Sequence, residues 1–180
     1  MNNLIGENAP LFIANGVQKN KIIKNFTLKQ FIKKKYIILF FYNKIFTSLY
    51  NKELNTIQKE IDEFNSRNVK IIAILTNSKK SNLSLLKSKK KNCDCIKFPI
   101  LLDKNKKISY KYGLLTYIKK KSKLIFYRCL FFIDKLGIIR YQLINDVHIG
   151  INIYEILRSI DSWQYFEING ELCPVNYKKK

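Results

Sequence analysis

The run Tyr36-Ile37-Ile38-Leu39-Phe40-Phe41-Tyr42 offers water nothing but two phenol hydroxyls. A half-exposed strand alternates apolar and polar residues, and a surface helix keeps one polar face. A short, aromatic and β-branched run with neither feature suits a strand buried on both faces, as in parallel sheets covered by helices. The next apolar pattern is helical. Over residues 50–66, Leu54, Ile57, Ile61 and Phe64 recur at three- and four-residue spacing, with Lys52, Lys59, Glu60 and Glu63 elsewhere. Asn65 and Asn68 mark its end, and Val69 to Leu75 reads as a second buried strand. Strand, helix and strand at this spacing predict a right-handed βαβ unit.

The flanking segments extend that unit. Residues 3–35 read as an irregular lead-in with short strands, anchored by Ala9-Pro10-Leu11-Phe12 and Phe26-Thr27-Leu28. Thr27 is placed to cap a short turn through Phe31. Residues 78–91 read as a lysine-covered helix, and 92–97 as a loop carrying Cys93 and Cys95. Phe98 to Asp103 is a strand, followed by a short helix over 106–112 that Gly113 ends. Lys119-Lys120-Lys121 reads as an exposed turn. Asp134-Lys135-Leu136-Gly137 predicts a hairpin between Leu130–Ile133 and Ile138–Ile144. A last helix spans 151–165, with Ile153, Ile156, Leu157, Ile160 and Trp163 inward. The order predicts an α/β, thioredoxin-like fold: a central mixed sheet flanked by helices, with a C-terminal extension. The domain runs over residues 1–165, and the tail over 166–180.

At 180 residues, 47% hydrophobic and 13% aromatic, the chain suits one globular domain rather than disorder. No apolar run approaches the ~20 residues that span a bilayer, and no basic segment precedes a long apolar one at the start. The expectation is a cytoplasmic protein without membrane contact. The net charge is +21, yet only Arg67, Arg128, Arg140 and Arg158 among the 34 basic residues are arginine. Lysine, asparagine, isoleucine and tyrosine dominate together and share A/T-rich codons. A surface selected for nucleic acid draws more on arginine, whose planar fork suits phosphate and guanine. The charge therefore reads as compositional, with nonspecific polyanion binding at low salt and no specific nucleic-acid partner. Four cysteines in a cytosolic chain are expected reduced. Cys93 and Cys95 with two distant singletons, Cys129 and Cys173, lack zinc-site spacing, so no metal or other cofactor is expected.

The junction from Phe40 to Glu53 reads as a strand end, a loop and the first turn of a helix. Helix N-terminal N–H groups favour negative charge, and Thr47 and Glu53 are placed to face such a site. The stretch holds no Cys, His or Asp, and Tyr50 stands where a nucleophile is wanted.

Several blocks in order carry a family resemblance: Leu39-Phe40-Phe41-Tyr42, Phe46-Thr47, Tyr127-Arg128 with Leu130-Phe131-Phe132-Ile133-Asp134, Asn145-Asp146-Val147, and Gly170-Glu171-Leu172-Cys173-Pro174. The chain resembles, nearly end to end, the typical 2-Cys peroxiredoxins, which include alkyl hydroperoxide reductase and thioredoxin peroxidase. Their active-site motif is P-x-x-x-T-x-x-C, with an arginine from a later strand. The resemblance implies that Thr47 and Arg128 fill those roles, with Glu53 as the glutamate after the motif and Cys173 as the resolving cysteine. The motif's first proline corresponds to Asn43, the peroxidatic cysteine to Tyr50, and the proline after it to Asn51. A tyrosine cannot substitute for the thiol, because its pKa is about 10 and it forms no sulfenic acid.

From the residues alone, Arg128 also reads as an arginine paired with a carboxylate such as Glu53. Cys129 follows Arg128 on a strand and so points to the opposite face. The loop of Cys93 and Cys95 lacks the family's Gly-Gly-Leu-Gly. His148 reads as a surface loop residue, and Trp163 and Tyr165 as helix packing. The resemblance implies a thiol-dependent peroxidase for hydrogen peroxide and organic hydroperoxides, with activity impaired or lost at Tyr50. Its reductant would be thioredoxin-like or a flavoprotein. It further implies a homodimer, with Ile138–Ile144 as the pairing edge, or a ring of dimers. A catalytically silent fold with a structural or holdase role and a basic polyanion-binding module are the competing readings.

Overall fold

In the computed structural model, the run Tyr36–Tyr42 is a strand buried at every residue. The structure describes residues 3–19, 21–42, 48–76, 96–114, 116–117, 124–125, 128–146, 148–175 and 177, and describes 48–51, 116, 117, 124 and 125 by their backbone. The expected helix over 78–91, the cysteines at 93 and 95, and the lysine turn at 119–121 lie outside the described residues.

The lead-in is more regular than its sequence suggests. It forms an antiparallel hairpin, β1 (Ile13–Gln18) and β2 (Lys21–Thr27). Thr27 then caps a 3-10 turn at Leu28–Gln30, its hydroxyl accepting from the Lys29 N–H. Strand β3 (Tyr36–Tyr42) follows, then helices α1 (Ser48–Lys59) and α2 (Ile61–Ser66). The expected single helix over 50–66 is thus broken at Glu60, whose ψ of 11° leaves the helical range. The break is slight, since the Phe64 N–H still reaches the Glu60 carbonyl at 3.2 Å. Asn68, at a φ of +57°, turns the chain into β4 (Val69–Leu75).

Strand β5 (Ile100–Leu102) and helix α3 (Lys107–Lys111) come next, then a two-stranded ladder of β6 (Thr116–Tyr117) and β7 (Leu124–Ile125). The hairpin of β8 (Arg128–Ile133) and β9 (Ile139–Asn145) turns through Gly137 at a φ of +87°. Helix α4 (Ile153–Asn169) closes the domain. Asn152 caps it, and Gly170 ends it with its N–H on the Phe166 carbonyl at 2.8 Å. This end is four residues beyond the expected Tyr165, because the left-handed conformation that stops the helix falls on glycine.

The seven-stranded sheet has the order β2-β1-β5-β4-β3-β8-β9. Strand β3 is parallel to β4 and antiparallel to β8, so the sheet is mixed and its architecture thioredoxin-like. The alternation of side chains across β3 explains the uninterrupted run. Tyr36, Ile38, Phe40 and Tyr42 pack with Leu54, Ile57, Phe64, Ile156 and Ile160 from α1, α2 and α4. Ile37, Leu39 and Phe41 pack on the other face with Phe12, Phe26, Leu28, Ile108 and Tyr112. Full burial of one such side chain contributes roughly 1.5–3 kcal/mol, so a polar residue anywhere in β3 would cost one core or the other. Strand β9 is an edge of the sheet.

Candidate active site

Two elements end at one pole of the sheet. Strand β3 stops at Tyr42, and α1 begins at Ser48, so its first turn presents N–H groups with no partner inside the helix. Tyr50 lies in that first turn, and Thr47 is outside the described residues. Strand β8 runs antiparallel to β3 with Phe41 opposite Cys129. That register brings Arg128, one residue earlier, to the same pole.

There the Arg128 Nη1 donates to the Glu53 Oε1 at 3.0 Å. The Ile151 N–H, just ahead of α4, donates to the same oxygen at 3.2 Å. Both side chains are enclosed, Glu53 at 5% and Arg128 at 14% exposure. The second Glu53 oxygen is buried without a hydrogen-bond partner. Burial pushes the Glu53 carboxyl above its ordinary range, against the Ile151 N–H and Arg128, which both favour the anion. The expected pairing of Arg128 with Glu53 is therefore present. The Ile151 contact has no signal in the sequence, because a backbone N–H carries no residue identity.

The two described cysteines, Cys129 and Cys173, lie elsewhere. Cys129 is fully buried among Phe41, Phe131 and Ile133 on the opposite face from the sheet's α1 side, as strand alternation predicts. Burial pushes its thiol up to about 12, so it is not a thiolate near neutrality. Cys173 sits half-buried beyond Gly170, with its sulfur 3.7 Å from the Pro174 carbonyl oxygen. It lines a cavity of about 450 Å³ with Phe132, Arg140, Tyr141, Trp163 and Phe166. Phe132 is four residues along β8 from Arg128, or roughly 13 Å at 3.3 Å per residue. Within one chain, Cys173 is not brought to the Arg128–Glu53 pair. The Arg140 guanidinium lies over the Trp163 ring at 4.2 Å and pairs with the buried Asp134 at 2.7 Å. His148 is an exposed loop residue beside the Asp146 carboxylate, as expected.

The AhpC/TSA family model matches residues 5–142. The chain belongs to this family. It is 36% identical to an alkyl hydroperoxide reductase C of Buchnera aphidicola subsp. Baizongia pistaciae over 174 residues, covering 95% of this chain and 85% of that protein. It is 34% identical to a chloroplastic 2-Cys peroxiredoxin of Hordeum vulgare, covering 97% and 82%. The reduced 2-Cys peroxiredoxin of Plasmodium vivax superimposes with a TM-score of 0.85 at 33% identity, over 98% of this chain and 90% of that one. The mitochondrial 2-Cys peroxiredoxin of Plasmodium falciparum does so with a TM-score of 0.80 at 36% identity, over 95% and 100%.

This peroxiredoxin scaffold thus supplies a helix N-terminus, an enclosed arginine and a buried carboxylate at one pole of the sheet. Of these groups, the helix N-terminus and the arginine favour nearby negative charge, and Glu53 already takes up one hydrogen bond of that arginine. No helix among the described residues is long and apolar enough to cross a membrane.

Proposed function

We propose that this chain is a peroxiredoxin that keeps the supports of the peroxide site without the cysteine step. The observation that carries this reading is Tyr50 in the first turn of α1, one turn ahead of the Glu53–Arg128 pair. By resemblance, the peroxidatic sulfur belongs at that position. A thiolate there attacks the peroxide O–O bond: an S–O bond forms, the O–O bond breaks, and water or an alcohol leaves. A second thiol then displaces water from the sulfenic acid to give a disulfide, which a thioredoxin-like or flavoprotein reductant reopens. The Tyr50 phenol has no sulfur to oxidise and leaves nothing for Cys173 to resolve.

Arg128 and Thr47 are the groups that would position the peroxide, and Glu53 holds Arg128. The burial of Cys129 supports its being a packing residue rather than a replacement nucleophile. The remaining role is that of a silent fold used structurally or as a holdase. The edge position of β9 supports a homodimer built by strand pairing, extending to a ring of dimers. The distance of Cys173 from Arg128 within one chain fits a resolving position that faces a partner's site.

Hydroperoxide consumption with thioredoxin or a small thiol tests the reading. The chain as it stands should run at background, and Tyr50→Cys should recover part of the family activity. Turnover by the unaltered chain that Cys173→Ala abolishes would overturn it.

A further inference from the structure

The pole of the sheet opposite Arg128 and Glu53 carries a row of ammonium groups. Five neighbouring strands, β1, β5, β4, β3 and β8, each bring lysine to it. Lys19 follows β1, and Lys97 precedes β5, with its carbonyl accepting from Gln18 beside Lys19. Lys70 is the second residue of β4. Lys33, Lys34 and Lys35 lead into β3, and Lys135 sits in the turn after β8. The Lys33 N–H bonds the Lys135 carbonyl at 2.7 Å, which joins the last two groups.

None of these lysines forms an ion pair among the described residues, where every ion pair uses arginine or histidine. Lys70 and Lys135 lie over the Phe31 and Tyr36 rings at 5.5 and 4.6 Å instead. Half-burial of Lys70, together with Lys35 and Lys19 nearby, lowers its proton affinity. An anion placed among the three would relieve that repulsion. The sequence supplies the number of lysines, and the strand order gathers seven of them on this pole.

We propose that this pole is a sequence-independent binding surface for the phosphate backbone of nucleic acid, held in part by Lys19, Lys35 and Lys70. The shape fits a linear polyanion. Five strands at about 4.8 Å spacing give a row of roughly 19 Å, the length of five to six base steps at 3.4 Å. Lysine contacts phosphate as a point charge and reads no base, so the surface carries affinity without specificity.

The test is fluorescence anisotropy of the full chain with a short mixed-sequence DNA duplex across a salt series. The variant K19E/K35E/K70E should bind at least about tenfold more weakly at low salt, and its log–log salt slope should be shallower by about 2.7, or 0.9 per phosphate contact. The control K52E/K104E/K107E changes the same charge among exposed residues near the other pole and should keep the parent's slope. Equal losses in the two variants would show that net charge alone binds, and would overturn the proposal. So would binding to phosphatidylserine vesicles without binding to duplex. Circular dichroism checks each fold. If K19E/K35E/K70E does not fold, K19Q/K33Q/K97Q, all exposed, carries the same test, and an unchanged slope there overturns the proposal.

Discussion

Arg128 and Glu53 meet through one hydrogen bond of 3.0 Å, on the same Glu53 oxygen that takes the Ile151 N–H at 3.2 Å. One carboxylate oxygen thus ties α1, β8 and the lead into α4 together, while the other is buried without a partner. Removing the cation should be costly, because the carboxylate stays enclosed. Arg128→Ala should destabilise the chain by about 3 kcal/mol in urea denaturation. In a double-mutant cycle with Glu53→Gln, the two losses should be less than additive, since either change alone breaks the pair.

The raised Glu53 carboxyl gives a signed pH dependence. In the unfolded chain it titrates at its ordinary value of 4.5, and in the fold above it. Between those two values the folded state binds more proton, so stability falls as pH rises. The contribution is fully present below 4.5 and is lost as pH climbs through the folded pKa. The stability of the parent minus that of Glu53→Gln should therefore decrease with rising pH across this window and then level off. A difference that grows with pH would show that Arg128 outweighs burial.

The two described cysteines should react differently. Cys129 is fully buried with its thiol pushed up to about 12, and Cys173 is half-buried on the segment after α4. Iodoacetamide at neutral pH should label Cys173 in the native chain and reach Cys129 only after denaturant is added. Peptide mapping by mass spectrometry reads both sites.

Asp103 holds α3 in place. Its carboxylate, 3% exposed, accepts from the Ile108 N–H at 3.1 Å and from the Ser109 N–H and hydroxyl at 2.8 and 2.7 Å. Asp103→Ala leaves three buried donors without an acceptor and should cost about 3 kcal/mol. Asp103→Asn retains one acceptor oxygen and should cost less. Chemical denaturation followed by tryptophan fluorescence gives both values.

Gly16 lies where β1 meets β5, and a Cβ there would overlap the Ile100 carbonyl oxygen and come within 2.9 Å of the Leu101 Cα. Both are backbone contacts that no rotamer relieves. Gly16→Ala should lower stability by about 3 kcal/mol, at the upper end of overpacking costs. Gly6→Ala is the useful contrast: its Cβ would meet nothing, and its cost comes only from a φ of +87°.

Features that depend on short spacings are legible in the residues alone. The unbroken run at Tyr36–Tyr42 requires two covering layers, and both are present. The turn at Asp134–Gly137, the helix stripe through Ile153, Ile156 and Ile160, and the opposite facing of Arg128 and Cys129 follow from periods of 2 and 3.6. The lead-in hairpin was less legible, because β2 is mostly exposed and its lysines and asparagine mask the strand pattern. The end of α4 is hidden in the sequence for a related reason: beyond Trp163 the exposed Phe166 and Ile168 no longer mark an inward stripe.

Which groups meet is set by the fold. Glu53 reaches Arg128 across 75 residues and Ile151 across 98, and no local pattern encodes either distance. Those contacts depend on the register of β8 against β3 and on how α4 seats on the sheet. The lysines are similar: the sequence shows their number, while the strand order places five groups of them on one pole. Tyr50 remains the point where the two levels meet. Its identity is plain in the sequence, while its place in the first turn of α1, three residues before the Glu53 that pairs with Arg128, comes from the fold.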